Sequence, residues 1–597
     1  MTRSVLALVA APRAVSVSVS SCLFSPFSLT LLAAALLATQ APRAHAQSPA
    51  ELQQIERIQQ EEQQRQLREL EQQRERARPP ASLEVAPAKR PTQRPEGPCR
   101  DIQEIVLKGA NALLTGTRDS LLKPYVGRCL GANDIERLMG DLTAHYVSQG
   151  RITARVYLGA QDLSSGRLEL TVVEGVLKQL RIEDGGKHSI SPGNVFPGME
   201  GKPLNLRDVE QGLDQINRLG SNNATMSIEP GEQPGESILV VRNNPVKAWR
   251  VSGSVDNFGS VSTGRNQLGL SASYDNPFGF NDFISVTDRR TLDRHDKRRD
   301  SQSNSLTYSI PYGALLFTVG ASKSSYFSTL VTPSGVSLPS EGDSTVFYTR
   351  GDYTLYRDRD NLVTLSGTLT RKSSKNYLAS QYLEVSSRTL TVLDIDLSLR
   401  RPLLDGILQT SAGFSEGKNW FGALEDPSVT PDWAPKAQFS KVRASVSWAR
   451  YMPVGSSTVD VSTQWNGQYA NNVMYGSEQM LVGGIYSVRG FDRDTLSNDR
   501  GWVWRNEVGV RSPFTLNGTT GSWRPYAALD GGCVYARRTP DVNGYRGDDA
   551  CLGGGALGLQ LRWGPATLDT FVMKPFHRPD ELRADRTAVR AVASVAF

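Results

Sequence analysis

The stretch SVRGFDRD, residues 487–494, sets two arginines and two aspartates among Val488, Gly490 and Phe491. It follows the loose run NNVMYGSEQMLVGGIY, residues 471–486. Arginine and carboxylate in such density can form bidentate ion pairs, and these gain most where bulk water and salt are shut out. The chemistry on offer is therefore enclosed charge pairing. Catalysis has no comparable footing. The five histidines, at 45, 145, 188, 295 and 577, are scattered and suggest no metal set. SLLK at 120–123 has none of the companion motifs a serine–lysine pair needs. GGGALG at 553–558 opens no helix and reads as strand packing. We expect no enzyme, no cofactor and no metal.

The elements that must enclose the pair begin near residue 246, where helical periodicity gives way to alternation. Leu393, Ile395, Leu397 and Leu399 interleave with Asp394, Asp396, Ser398 and Arg400, and Val459, Val461 and Trp465 with Asp460, Ser462, Gln464 and Asn466. The polar set Thr364, Ser366, Thr368, Thr370 and Lys372 repeats the pattern. Strands of this type suit a sandwich or a transmembrane barrel. Sixteen can be placed, starting near 246, 265, 283, 303, 314, 344, 360, 388, 406, 435, 457, 501, 523, 551, 566 and 587. Connections after even-numbered strands are short, and six of the seven hold a proline: Pro277, Pro311, Pro402, Pro453, Pro513 and Pro565. Several after odd-numbered strands are long and polar, as at 417–434, 473–500 and 538–550. That segregation marks an outer-membrane barrel spanning residues 246–597, with 473–500 its longest loop. By alternation Trp502, Trp504, Val508 and Val510 face lipid while Arg505, Glu507 and Arg511 face the lumen. On the next strand the same parity points Asp530 inward, where Arg489 can meet it if the loop folds back into the barrel.

Upstream, residues 1–46 read as a secretory signal: Arg3 and Arg13 precede LTLLAAALLA and the small-residue site Ala44-His45-Ala46. Removing it leaves Cys99, Cys129, Cys533 and Cys551 for an oxidising compartment. Three pairings are open; the local pairs, Cys99 with Cys129 and Cys533 with Cys551, close the shortest loops. Residues 47–78 contain a helix with too few apolar positions for a dry core, suited to a solvated spacer or a rod in a water-filled passage. Residues 79–98 hold six prolines and form an extended linker. Two similar modules follow, 99–175 and 176–245. Each reads as strand, helix and two strands, with Ile135, Leu138, Met139, Leu142 and Tyr146 on one helix face and Val209, Leu213, Ile216 and Leu219 on the other. A net charge of +6 on 597 residues leaves no nucleic-acid footprint.

VRGF on a long loop, followed one strand later by ALDGG, resembles the signature of the POTRA-bearing outer-membrane polypeptide transporters. The resemblance implies that the loop enters the barrel and locks there through Val488, Arg489, Gly490, Phe491, Asp530 and Gly532. Ala528 departs from that pattern, which has an aromatic residue or glycine two positions before the aspartate. The stretch YVSQGRITARVYLGAQDLSSGRLELTVVEG, 146–175, is similar to the first POTRA domain of the two-partner secretion transporters, which export haemolysins and filamentous haemagglutinins. Tyr146, Gly150, Gln161, Asp162, Gly166 and Gly175 carry the match, and Arg151 replaces the usual aromatic. The last strand alternates Val589, Ala591, Ala593 and Val595 and ends in Phe597, similar to the signal read by the barrel-assembly machinery.

The resemblance implies a mainly β protein: a sixteen-stranded outer-membrane barrel preceded by two periplasmic α+β POTRA domains and an N-terminal plug helix. Its implied partner is a large secreted β-rich exoprotein; the barrel is expected to be monomeric and embedded in outer-membrane lipid. Two other classes compete. A barrel-assembly insertase usually carries more POTRA domains and no plug helix, and a solute porin has no use for POTRA modules.

Overall fold

The computed structural model describes residues 98–292, 298–332, 334–491, 495–536, 549–580, 582 and 587–597. The signal, the helix within 47–78 and nearly all of the linker expected from the sequence lie outside the described residues.

The first module packs two helices, α1 (Thr115–Leu122) and α2 (Ala132–Ser148), on a three-stranded sheet. In that sheet Arg167–Val173 lies centrally, parallel to Glu104–Lys108 and antiparallel to Arg155–Leu158. Ile135, Leu138, Leu142 and Tyr146 recur at helical spacing and bury against Leu168 and Leu170 of the central strand. The helix starts where the Gly131 amide donates to the Asp134 carboxylate, 3.1 Å away. Helix α1 was not legible in the sequence: its eight residues include Gly116 and three Ser/Thr side chains, and only Leu122 is buried. A short ladder, Arg100–Ile102 with Arg128–Leu130, closes the module beside the Cys99–Cys129 disulfide.

The second module repeats the plan. Glu236–Arg242 is central, parallel to Val176–Glu183 and antiparallel to Thr225–Pro230, beneath α3 (Pro192–Val195) and α4 (Leu206–Asn217). Val209 and Ile216 of α4 are buried against Leu239 and Val241. Its helical side seats on the barrel rim. Arg218 donates to the Asn281 carbonyl (2.6 Å) and the Ser309 hydroxyl (2.9 Å), and Arg357 pairs with Asp214 at 2.6 Å. Burial pushes the Asp214 carboxyl above its usual range, against the pull of the Arg357 guanidinium.

The barrel closes with sixteen antiparallel strands. They are β1 (Trp249–Asp256), β2 (Gln267–Asp275), β3 (Phe283–Thr291), β4 (Arg299–Tyr312), β5 (Leu315–Val331), β6 (Ser337–Arg357), β7 (Leu362–Leu378) and β8 (Arg388–Leu403). The second half comprises β9 (Gly406–Lys418), β10 (Ser440–Val454), β11 (Ser457–Ala470), β12 (Arg500–Leu516), β13 (Thr519–Tyr535), β14 (Ala550–Trp563), β15 (Ala566–His577) and β16 (Ala588–Ala596). A two-residue strand, Gln381–Tyr382, folds back antiparallel on the end of β7, and β16 pairs with β1 over Val592–Ala596 to close the ring. Strands β4, β6, β10 and β13 start at 299, 337, 440 and 519 rather than 303, 344, 435 and 523.

The expectation that six prolines sit in the short turns needs correction. Pro277 and Pro565 do, but Pro311, Pro402, Pro453 and Pro513 lie inside strand ends. Each of these four pairs with one neighbour only, because the ladder on its other side has already stopped at Ser309, Arg400, Ala449 and Arg511, respectively. A missing N–H is harmless there. Proline therefore marks where one edge of a strand becomes free.

Candidate functional site

Between β11 and β12 the chain folds into the barrel. Met480–Val482 and Leu496–Asn498 form a small antiparallel ladder, and the turn beyond carries Val488, Arg489, Gly490 and Phe491. Val488 and Phe491 are fully buried, in a cluster with Val482 of the loop and Val503, Val534 and Leu552 of the wall. Asp492, Arg493 and Asp494 lie outside the described residues.

Arg489 reaches the wall where alternation points Asp530 inward. Its Nε donates to Asp530 Oδ2 at 2.6 Å, its Nη2 to Oδ1 at 2.9 Å, and its own backbone amide to Oδ2 at 3.1 Å. The side chains are 6% and 0% exposed, so the pair is shielded from solvent. A second carboxylate, Glu507 of β12, takes Nη1 at 2.6 Å. Glu507 also accepts from Arg524 at 2.8 Å, and Arg524 pairs with Asp460. Arg505 holds the approach by donating to the carbonyls of Tyr486 (3.1 Å) and Ile485 (3.3 Å). Three carboxylates thus face three guanidiniums, and the site is close to neutral. That is what allows so many charges to be buried together.

Glycines let the loop approach. A Cβ on Gly554 of β14 would stand 1.8 Å from the Arg489 carbonyl oxygen, and one on Gly490, whose φ is +117°, would meet the Lys574 backbone at 2.7 Å. Gly532, two residues past Asp530, leaves room for Val482: a Cβ there would lie 2.9 Å from its methyl group. Ala528, the departure from the transporter pattern, is buried in a neighbouring cluster with Tyr526 and Met573.

The sequence did not reveal a second anchor. Glu478, on the incoming arm of the loop, receives the ammonium of Lys372 from β7 at 2.7 Å and of Lys441 from β10 at 3.1 Å. All three side chains are nearly inaccessible. Alternation along β7 places Lys372 in the lumen, but nothing in the sequence pairs it with a loop residue.

The six POTRA-pattern residues build joints rather than one site. Gln161 exchanges two hydrogen bonds with the Glu169 backbone (2.7 and 2.8 Å), and Asp162 caps a turn through the Ser164 amide at 2.9 Å. The Ser164 hydrogen bonds hold the Asp162 carboxyl below its usual range. Gly166, at φ +72°, offers its carbonyl to the amides of Gln103 and Glu104. At the junction of the modules, the carbonyls of Gly150 and Gly175 accept from Leu206 (2.8 Å) and Leu204 (3.0 Å), and Tyr146 donates to Glu174 at 3.1 Å. Burial, then the Glu174 carboxylate, push the Tyr146 phenol up. Arg151, at the usual aromatic position, pairs with Glu174 at 3.6 Å. The other disulfide, Cys533–Cys551, joins directly paired positions of β13 and β14.

A closed barrel joined to two modules of this plan, with a charged loop folded into its lumen, defines an outer-membrane transporter of polypeptides. Comparison with known proteins makes this specific. The family of haemolysin secretion/activation proteins, ShlB/FhaC/HecB, matches residues 235–561; a ShlB-type POTRA domain matches 101–175 and a second POTRA domain 176–230. The haemolysin transporter protein ShlB of Serratia marcescens is 36% identical over 477 residues, covering 80% of this chain and 82% of its own. The outer membrane transporter CdiB of Escherichia coli is 35% identical over 529 residues, covering 88% and 87%. The solved structure of CdiB from Escherichia coli superposes with a TM-score of 0.80 at 33% identity, covering 93% of this chain and all of that one. The chain belongs to the ShlB/FhaC/HecB family. It is a two-partner secretion translocator of the outer membrane, with its POTRA domains in the periplasm.

Proposed function

We propose that the chain exports one large, unfolded β-rich exoprotein of haemolysin or adhesin type. The partner's amino-terminal segment adds a strand to an exposed edge of the POTRA sheets, such as Glu104–Lys108 or Val176–Glu183. The chain then passes through the barrel as the loop around Arg489 rearranges and the helix within 47–78 leaves the lumen. Folding of the partner outside supplies direction, since a folded β-structure cannot return. On this reading the protein does no catalysis and needs no cofactor. It works as a monomer in outer-membrane lipid after insertion by the barrel-assembly machinery, and Cys99–Cys129 and Cys533–Cys551 are its disulfides.

The observation that supports this best is the lumenal loop. Val488, Arg489, Gly490 and Phe491 act as a lock whose seat is Asp530 and Gly532, held by charge rather than covalently and so releasable. The test is export of a co-expressed exoprotein with and without residues 99–175. Loss of export with the barrel still inserted supports the reading. Failure of other outer-membrane barrels to assemble in cells lacking this chain would favour an insertase instead.

A further inference from the structure

The loop between β9 and β10 straddles the barrel rim, and its first segment lies on the outside. Three contacts show this. Thr391 of β8 shares the outward parity of Ile395 and Leu397, which are 50% and 48% exposed, yet Thr391 is only 1% exposed. Its hydroxyl donates to the Trp420 carbonyl at 2.9 Å. The Leu424 amide bonds the Thr389 carbonyl at 2.8 Å, beside the end of β9, while the outward-facing Arg371 of β7 donates to the Phe421 carbonyl at 3.0 Å. Residues 420–424 therefore cross the outer face of β8, just above the apolar band that Leu397, Ile395 and Phe414 form. The far half turns inward, where Phe439 packs with Val392 and Met474.

This outer segment is held firmly but leaves its apolar side chains uncovered. Trp420 is 45% exposed, Phe421 66% and Leu424 39%. Cations flank them. Arg371 is exposed, Lys375 stands further out on the same strand, and Lys418 points its ammonium at the Trp420 ring, 5.8 Å away. The carboxylates nearby are Glu416, which pairs with Lys418 at 2.7 Å, the exposed Glu425, and Asp343 of β6, which stands directly opposite Lys375 and leaves Arg371 as the principal cation. Aromatic rings beside cations at the edge of an apolar band are the signature of a headgroup interface.

We propose that residues 420–424, with Arg371 and Lys375, form a docking surface for a phosphorylated glycolipid of the outer leaflet. Trp420 and Phe421 enter the interface between acyl chains and sugar, and Arg371 takes a phosphate through the guanidinium nitrogens that Phe421 leaves free. The inference rests on the outer-membrane location of the barrel and is independent of what it exports. It is tested on the full chain in detergent by native mass spectrometry, titrating diphosphoryl lipid A, its dephosphorylated form and phosphatidylglycerol. Diphosphoryl lipid A should bind about ten-fold tighter than the dephosphorylated form, the scale of one charge-assisted contact. Arg371→Gln should remove that preference, and Phe421→Ala, at an exposed site the fold does not need, should weaken both lipid A forms. Equal affinity for the two lipid A forms overturns the proposal, as does equal affinity for phosphatidylglycerol. Unchanged binding by both variants also overturns it. Normal lipid binding by Phe421→Ala with lost export would assign the surface to the passing partner.

Discussion

The lumenal loop has two charged anchors built differently. Arg489 meets a carboxylate already bound to the wall strand, over a glycine floor, with its amide and guanidinium both used on Asp530. Glu478 instead bridges two lysines from strands three steps apart, β7 and β10. The first is a rigid fork-to-fork contact whose geometry specifies one seat. The second relies on flexible lysine stems, which can follow the loop as it shifts. The tip is thus fixed by a rigid fork, while the arm adds to its flexible ion pairs a hydrogen bond from Gln468 to the Glu478 carbonyl and the burial of Met474. We infer that the arm can yield while the tip stays seated, and that losing the tip frees the whole loop.

Breaking the tip should have the largest effect. Asp530→Ala leaves Arg489 with Glu507 alone, and Arg489→Ala leaves Asp530 with only Arg505 at 3.9 Å, a loss of the best partner in a buried site worth about 3–5 kcal/mol. Each should abolish most export while the barrel still inserts, read as secreted partner and heat-modifiable mobility. The double variant should lose little more than either single one, because both act through one contact. Strictly additive losses would show separate roles for the two residues.

A steric attack on the same seat is the second test. Gly554→Ala would drive a methyl group into the Arg489 carbonyl and should cost the tip about 1–3 kcal/mol without touching any charge. The expected outcome is faster hydrogen exchange at residues 487–491. Unchanged exchange would mean the wall, rather than the loop, gives way.

Glu478→Gln should loosen the arm only, by about 1–3 kcal/mol, since it strands two lysines that water can reach once the arm moves. Exchange should rise at residues 474–482 and stay low at 487–491. Equal loosening of both segments would erase the distinction between the anchors. Smallest of all, Lys372→Met should cost about 1 kcal/mol, because Lys441 remains to hold Glu478. Conductance in planar bilayers should change less for Lys372→Met than for Glu478→Gln, and a reversed order would make Lys372 the principal partner.

Much of this was readable without coordinates. Alternation put Asp530, Glu507 and Arg505 in the lumen because a strand's period of two leaves no choice once one face meets lipid. Strand number followed from the same periodicity and from the segregation of short and long connections. Helix faces in the two modules followed from apolar spacing, except that Leu219, though buried, lies beyond the helix end at Asn217; α1 and α3 were too short to display any period. Residue order along one strand is local information, and the sequence determines it outright.

Beyond the Arg489–Asp530 pair, the sequence did not contain which lumenal charge meets which. Glu478 and Lys372 are 106 residues apart, and Arg489 and Glu507 share no motif. Parity says that a side chain points inward, not how far the loop descends or which strand it faces. The same is true of Thr391, whose outward parity promises lipid contact until residues 420–424 fold over it. Closing the barrel sets the distances between walls, and the glycines at 490, 532 and 554 set how closely the loop approaches. Those distances exist only in the tertiary structure, because partner choice between charges depends on separation and shielding rather than on residue order.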